Sequence, residues 1–416
     1  MAAFANSLWA QGGTKSPYSQ FGIGMLDNLS QGMSRGMNGV GYGLRNGNQV
    51  NSLNPASYSA VDSLTMLFDM GMSGQFTHFT EGSVKRNASL GRFDYVIGSF
   101  RASKNIGISF GMLPFSSVGY DYLTTTKDAT NGSLAELYSG SGGLHQLFLG
   151  VGWQVTKPLS VGVNAAYLWG SIDRSVTPSS SVASNTLKKK YSTTINTYKL
   201  DFGVQWEQPI GKADRLTVGA VVGIGHNLGN EAEMAIVSSN SLSNHNDTTS
   251  FSLSDAMSLP MSYGLGAAYC HNRKLTLAAD LSFETWGSLD FPVYANNKYE
   301  LKSGQLRDRT KISAGVDWLP NPDLMTSSFL QRVHYRMGVG YATPYYNING
   351  LSGPKELSVS AGFGIPIMNM HNNRSVLNIS GQWVRSSATG FITENTFCIN
   401  IGLTFNERWF MKWKVD

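Results

Sequence analysis

Thr396-Phe397-Cys398-Ile399-Asn400-Ile401-Gly402-Leu403-Thr404-Phe405 alternates without a break: Phe397, Ile399, Ile401, Leu403 and Phe405 fall on one face, Cys398, Asn400, Gly402 and Thr404 on the other. Successive side chains of a strand point to opposite faces, so the segment presents one broad apolar surface and one of small and polar groups. In a sandwich core the second face would be buried without use. Between lipid and an aqueous lumen both faces are used. Because the pattern recurs upstream, it predicts an all-β fold: a transmembrane antiparallel barrel of an outer membrane.

Composition agrees. Only 14% of the 416 residues are charged and 46 are glycine, and no run of about 18 apolar residues offers a helical crossing. The formal net charge of +5 is dispersed, with Lys188-Lys189-Lys190 as its tight cluster, whereas nucleic-acid binding needs a concentrated basic face. Cys270 and Cys398 are too few for a disulfide framework or a cysteine metal site. The strand pattern puts them near opposite rims, beyond the ~7 Å that a disulfide spans, so both are expected free. Residues 1–10 read as the remnant of a signal peptide, with the mature chain starting near Gln11.

Counting alternation from Asp62 onward gives fourteen strands, an even number as single-chain bacterial barrels require. Leu64, Met66, Phe68, Met70 and Met72 face outward on the first, Phe93, Tyr95 and Ile97 on the second, and Ile106, Ile108, Phe110 and Met112 on the third. Opposite faces carry Asp69, Asp94, Asp201, Asp280, Asp317 and Arg336, a polar lumen. Short connections near Lys104, Lys157, Asn272 and Asn372 alternate with long Ser/Asn/Thr-rich ones at 119–141, 173–190, 227–257 and 287–307. Short periplasmic turns and long external loops are the barrel rule, which puts both termini in the periplasm. Residues 11–62 are glycine-rich without alternation and cannot face lipid, because their main-chain groups would lack partners. They are expected inside the barrel as a plug, with 63–405 as the barrel and 406–416 as a periplasmic tail.

Two G-x-S-x-G matches, 32–36 and 107–111, lie in a glycine-rich coil and inside a strand rather than on the strand-to-helix turn that a nucleophile needs. None of the seven histidines has H-E-x-x-H spacing. No catalytic residue, metal or cofactor is assigned. Pro114 follows the clean alternation of the third strand, and a proline removes a ladder hydrogen bond, so it marks either a gap in the wall or the strand's exit from the membrane. In the tail, Trp409, Phe410 and Trp413 among basic residues form either an interfacial anchor or a partner-docking strip.

Asn54-Pro55-Ala56, closing the glycine-rich segment directly before the first strand, resembles the motif that ends the hatch in the FadL family of outer-membrane transporters for long-chain fatty acids and other hydrophobic compounds. Ser16-Pro17-Tyr18-Ser19-Gln20-Phe21-Gly22 and Ser141-Gly142-Gly143 resemble the versions found in Bacteroidota. The resemblance implies that Asn54, Pro55 and Ala56 hold the hatch and that Leu113, Pro114 and Phe115 border a lateral exit to the outer leaflet. Phe100, Phe148, Leu168 and Val221, apolar outliers on the lumen face, are the expected pocket residues. The expected function is passive uptake of long-chain fatty acids or other hydrophobic small molecules. The alternative is a non-transporting barrel subunit of an outer-membrane protein assembly or secretion machine, kept open by the extension past Phe405.

Overall fold

The computed structural model describes residues 13–128, 132–180, 185–240, 245–322, 328–367 and 375–407. Fourteen antiparallel strands form the wall: β1 Met66–Glu81, β2 Val84–Ser103, β3 Ile106–Asp128, β4 Gly132–Gln154, β5 Leu159–Ser180, β6 Asn185–Ile210, β7 Asp214–Gly223, β8 Ser262–His271, β9 Leu275–Glu284, β10 Arg309–Trp318, β11 His334–Ala342, β12 Lys355–Ile367, β13 Ser375–Ser387 and β14 Thr393–Glu407. Each pairs with its neighbour in sequence, and β14 closes on β1 with Phe405 opposite Phe68. The outward apolar face is bare, with Leu149, Met72 and Phe202 among its exposed side chains, as lipid contact requires. Asp69, Asp94, Asp280, Asp317 and Arg336 are buried on the lumen side. Cys270 and Cys398 are free thiols.

The second strand departs from its sequence reading. Tyr95 and Ile97, expected outside, are buried, and Val96 is exposed instead. The cause is a bulge: Gly71 pairs with Tyr95 and the next residue, Met72, pairs with Phe93, leaving Asp94 as the extra residue. A bulge shifts the parity of everything beyond it. Asp94 and Tyr95 therefore both turn inward, and the Tyr95 hydroxyl accepts from the Gly32 amide at 2.9 Å.

The long connections also differ from their loop reading. Much of 119–141 and 173–190 is strand, since β3 to β6 run for 22 to 26 residues. At about 3.3 Å per residue and a tilt near 40°, strands of that length rise roughly 55–65 Å, against an apolar band of about 25 Å. Half of each strand thus stands beyond the membrane on one flank. The hairpin Glu231–Asn240 with His245–Ser254 extends this flank by pairing onto β6. Threonine, tyrosine and valine favour the extended chain even where neither face is uniformly apolar, so strand persists without a lipid-facing pattern.

Residues 13–65 lie against the lumen face. Their partners come from all round the wall: Arg35 bonds Asp94 and Asn400, Asn38 bonds Ser358, the Gly41 and Tyr42 amides donate to Asp280, and the Tyr58 hydroxyl donates to Asn164. Wall glycines make room for this segment. A Cβ on Gly107 would sit 1.9 Å from the Tyr58 carbonyl oxygen, on Gly162 2.4 Å from the Pro55 carbonyl carbon, and on Gly219 1.9 Å from the Tyr42 carbonyl oxygen.

Candidate functional site

The wall is open between its second and third strands. The β2–β3 ladder runs from Ser103 opposite Ile106 to Val96 opposite Met112 and stops there. β2 continues to its far end at Val84 and β3 to Asp128, each paired only on its other side by a wall strand. Pro114 lies just above the last pair, where the β3–β4 register shifts between Pro114 and Ser116. The proline therefore sits at the foot of an opening much longer than a single missing hydrogen bond would make.

The N-terminal segment fills the lower part of this opening. Its two-residue strand Met25–Leu26 pairs antiparallel with Ser117 and Ser116 of β3. The Asp27 amide donates to the Phe115 carbonyl at 3.0 Å, and the Gly119 amide donates to Ser19 Oγ at 3.1 Å. Charges fix the other side. Asp27 pairs with Arg92 of β2, Arg92 reaches Asp94 at 2.8 Å, and Asp94 reaches Arg35 at 2.5 Å. Ser117 Oγ donates to the free oxygen of Asp27 at 2.6 Å. Buried ions hold only when each is paired and hydrogen-bonded, and this relay satisfies both conditions across the gap.

Asn54 works as a local brace. Its Oδ1 accepts from the Ala56 amide at 3.1 Å, capping the 3-10 turn Pro55–Ala60, and proline fits the first position of that turn because no amide is needed there. Its Nδ2 donates to the carbonyls of Tyr42 at 2.9 Å and Val204 at 3.2 Å, tying the segment to β6.

Three cavities border this region. The inner one, about 160 Å³, is lined by Leu26, Leu53, Leu113, Phe115, Phe148 and Val221, and also by Lys199, Asp201, Glu284 and Arg309. It brings two expected pocket residues together with two of the three expected exit residues. Leu168 instead is fully buried in a cluster with Leu144, Ile172 and Ile195. Phe100 does not face the lumen: past the Asp94 bulge it shares the face of Val96 and Gly98, opposite Ile97 and Ser99. Trp409, Phe410 and Trp413 lie outside the described residues.

A second cavity, about 270 Å³, is walled by Phe21, Tyr120, Tyr138, Tyr191, Tyr299 and Tyr346 around Arg174. Arg174 Nη2 donates to the Gly22 carbonyl at 2.5 Å, its Nε has no hydrogen-bond partner among the described residues, and its guanidinium lies 6.0 Å from the Phe291 ring centre. Burial, and next the neighbouring Tyr191, push the Tyr299 phenol up to about 12. Burial likewise raises Tyr345 and Tyr346, so these hydroxyls stay neutral. Sequence reasoning missed this site, because its residues come from distant segments and only an excess of tyrosine in supposed loops hinted at it. The third cavity, about 1,260 Å³, is a cleft that includes Phe79, Val84 and Arg86 of the β1–β2 hairpin, residues 119–124 of β3, and Lys188 and Lys190 of β6.

Fourteen antiparallel strands closed on themselves with an outward apolar band define a β-barrel of the outer-membrane type. Solved structures with this fold include the Ralstonia pickettii toluene transporter TbuX (TM-score 0.64, 14% identity, covering 91% of this chain and 98% of that one). The Pseudomonas putida toluene transporter TodX has TM-score 0.64 and 16% identity over 92% and 100% of the two chains, and a Pseudomonas aeruginosa FadL homologue has 0.62 and 12% over 92% and 99%. None of the curated proteins matches the sequence. Residues 1–416 match the BamG family, and the chain belongs to it. The FadL resemblance is thus one of fold, at identities too low to carry a substrate.

Proposed function

We propose that this chain is a non-transporting barrel subunit of an outer-membrane assembly or secretion machine, acting as a docking platform. The observation that carries the reading is where the space lies. Ligand pockets for small molecules run to about 300–1,000 Å³, mostly apolar, while the inner cavity holds about 160 Å³ and is lined in part by four charged side chains. The cleft of about 1,260 Å³ lies at the long-strand rim instead. Residues 11–62 act in this reading as a hatch that keeps the wall shut, held by the Asp27–Arg92–Asp94–Arg35 relay. The test is purification of the full chain in mild detergent followed by native mass spectrometry. A stoichiometric protein partner is expected; a barrel that carries lipid alone sinks the proposal.

A second reading, passive uptake of fatty acids or other hydrophobic compounds, is favoured by the meeting of Leu113, Phe115, Phe148 and Val221 beside the wall opening. The path would run from the Arg174 cavity past the inner one to a lateral exit at Leu113, Pro114 and Phe115. It requires Met25–Leu26 to leave β3. Uptake of a labelled fatty acid into cells with and without the protein decides for or against it.

A further inference from the structure

We infer that the upper edge of β3, Asp121 to Thr125, is a strand-addition site for an extended acidic segment of a partner polypeptide. The inference rests on the docking reading above and gives it a mode and a chemistry.

Main-chain groups of a strand point to alternate sides. The Phe115 carbonyl and the Gly119 amide both point to the open side, toward Asp27 and Ser19. Period two then directs the amides and carbonyls of Asp121, Leu123 and Thr125 the same way, while Tyr122 pairs with Tyr138 of β4. Among the described residues no strand pairs with that side of β3 above Ser117. The same side of β3 accepts a strand lower down, because Met25–Leu26 adds to it in antiparallel register at Ser117 and Ser116, with Ser19 bonded to Gly119 between that pairing and Asp121. A new strand would continue that established pairing upward.

Exposed edges are normally blunted by proline, lysine, bulges or a covering loop. Here the sequence from 121 to 125 is Asp-Tyr-Leu-Thr-Thr, and Leu123 is 61% exposed. The flanking cleft, about 1,260 Å³, exceeds the range of about 300–1,000 Å³ for small-molecule sites. Strand addition draws affinity from the main chain and specificity from alternate side chains. The cleft offers Lys15, Arg86, Arg174, Lys188 and Lys190 against Glu81, Asp121 and Asp173, with Phe79 and Phe391 as aromatic walls. That excess of cations selects acidic residues in the incoming segment, and the rings select apolar ones between them.

The experiment uses the full chain in nanodiscs and a fluorescein-labelled eight-residue peptide alternating glutamate with tyrosine or valine. Binding is read by anisotropy. Three companions separate the contributions: the same peptide N-methylated at alternate amides, the peptide with lysine for glutamate, and Leu123→Pro, which removes an amide from the open side only. Expected are saturable binding, at least tenfold loss with the N-methyl peptide and with Leu123→Pro, and a similar loss with the lysine peptide and with the K188E/K190E double variant. Equal affinity for the N-methyl peptide overturns strand addition whether or not Leu123→Pro folds. Absence of peptide binding, with a stoichiometric protein partner still co-purifying, overturns the edge site and leaves the docking reading standing. Self-association of the barrel that Leu123→Pro abolishes would assign the edge to a second copy and overturn the proposed partner.

Discussion

Arg35 and Asp94 stand 2.5 Å apart with 7% and 0% of their side chains exposed, one on the N-terminal segment and the other on the bulge of β2. The bulge turns Asp94 inward beside the wall opening, and Arg92 links it to Asp27 directly below the site where Met25–Leu26 pairs with β3. One carboxylate therefore couples the seat of the segment to the closure of the wall.

Asp94→Ala removes the shared partner of two arginines. Breaking a buried pair from one side costs about 3–5 kcal/mol, because the other charge is left without compensation. We expect the Met25 and Leu26 amides to exchange at least tenfold faster and single-channel conductance in planar bilayers to rise above that of the parent protein. Asp94→Asn, whose single carbonyl oxygen can accept from only one of the two arginines, should lie between. Unchanged exchange in the alanine variant would remove the coupling.

Pro114→Val should change little. Restoring one amide cannot rebuild the ladder, since β2 and β3 have already parted after Val96 and Met112. Amide exchange along β2 and the uptake of hydrophobic compounds are expected to match the parent. A newly protected stretch at 84–95 would show that the proline alone holds the wall apart.

Gly162→Leu drives a side chain into the Pro55 main chain, 2.4 Å from where its Cβ would stand. Overpacking of this kind costs about 1–3 kcal/mol. The midpoint of the heat-modifiable gel shift should fall, and limited proteolysis should cut residues 13–62 sooner. An identical digestion pattern would mean that the segment is not seated on the wall glycines.

Arg174→Met tests the tyrosine-walled cavity. A hydrogen bond to a charged group contributes about 1.5–3 kcal/mol, so affinity for an amphipathic carboxylate such as decanoate should drop roughly 10- to 150-fold by calorimetry. Equal affinity would remove Arg174 from any ligand role.

The sequence by itself determined the wall. Period two is a local property of each strand, so Phe397 to Phe405 and its counterparts declare which face meets lipid, and the buried acids declare the lumen. Asn54-Pro55-Ala56 likewise carries its turn locally, through a side chain that caps its own backbone. Tertiary structure decided the rest, because the remaining features depend on partners far apart in the chain. The Asp94 bulge exists only as a mismatch between two strands, and it reversed Tyr95, Ile97 and Phe100. The supposed loops became strands because neighbours paired with them. Ser16 meets Glu394 across 378 positions and Arg174 meets Gly22 across 152, and no local pattern encodes a cavity assembled over such separations.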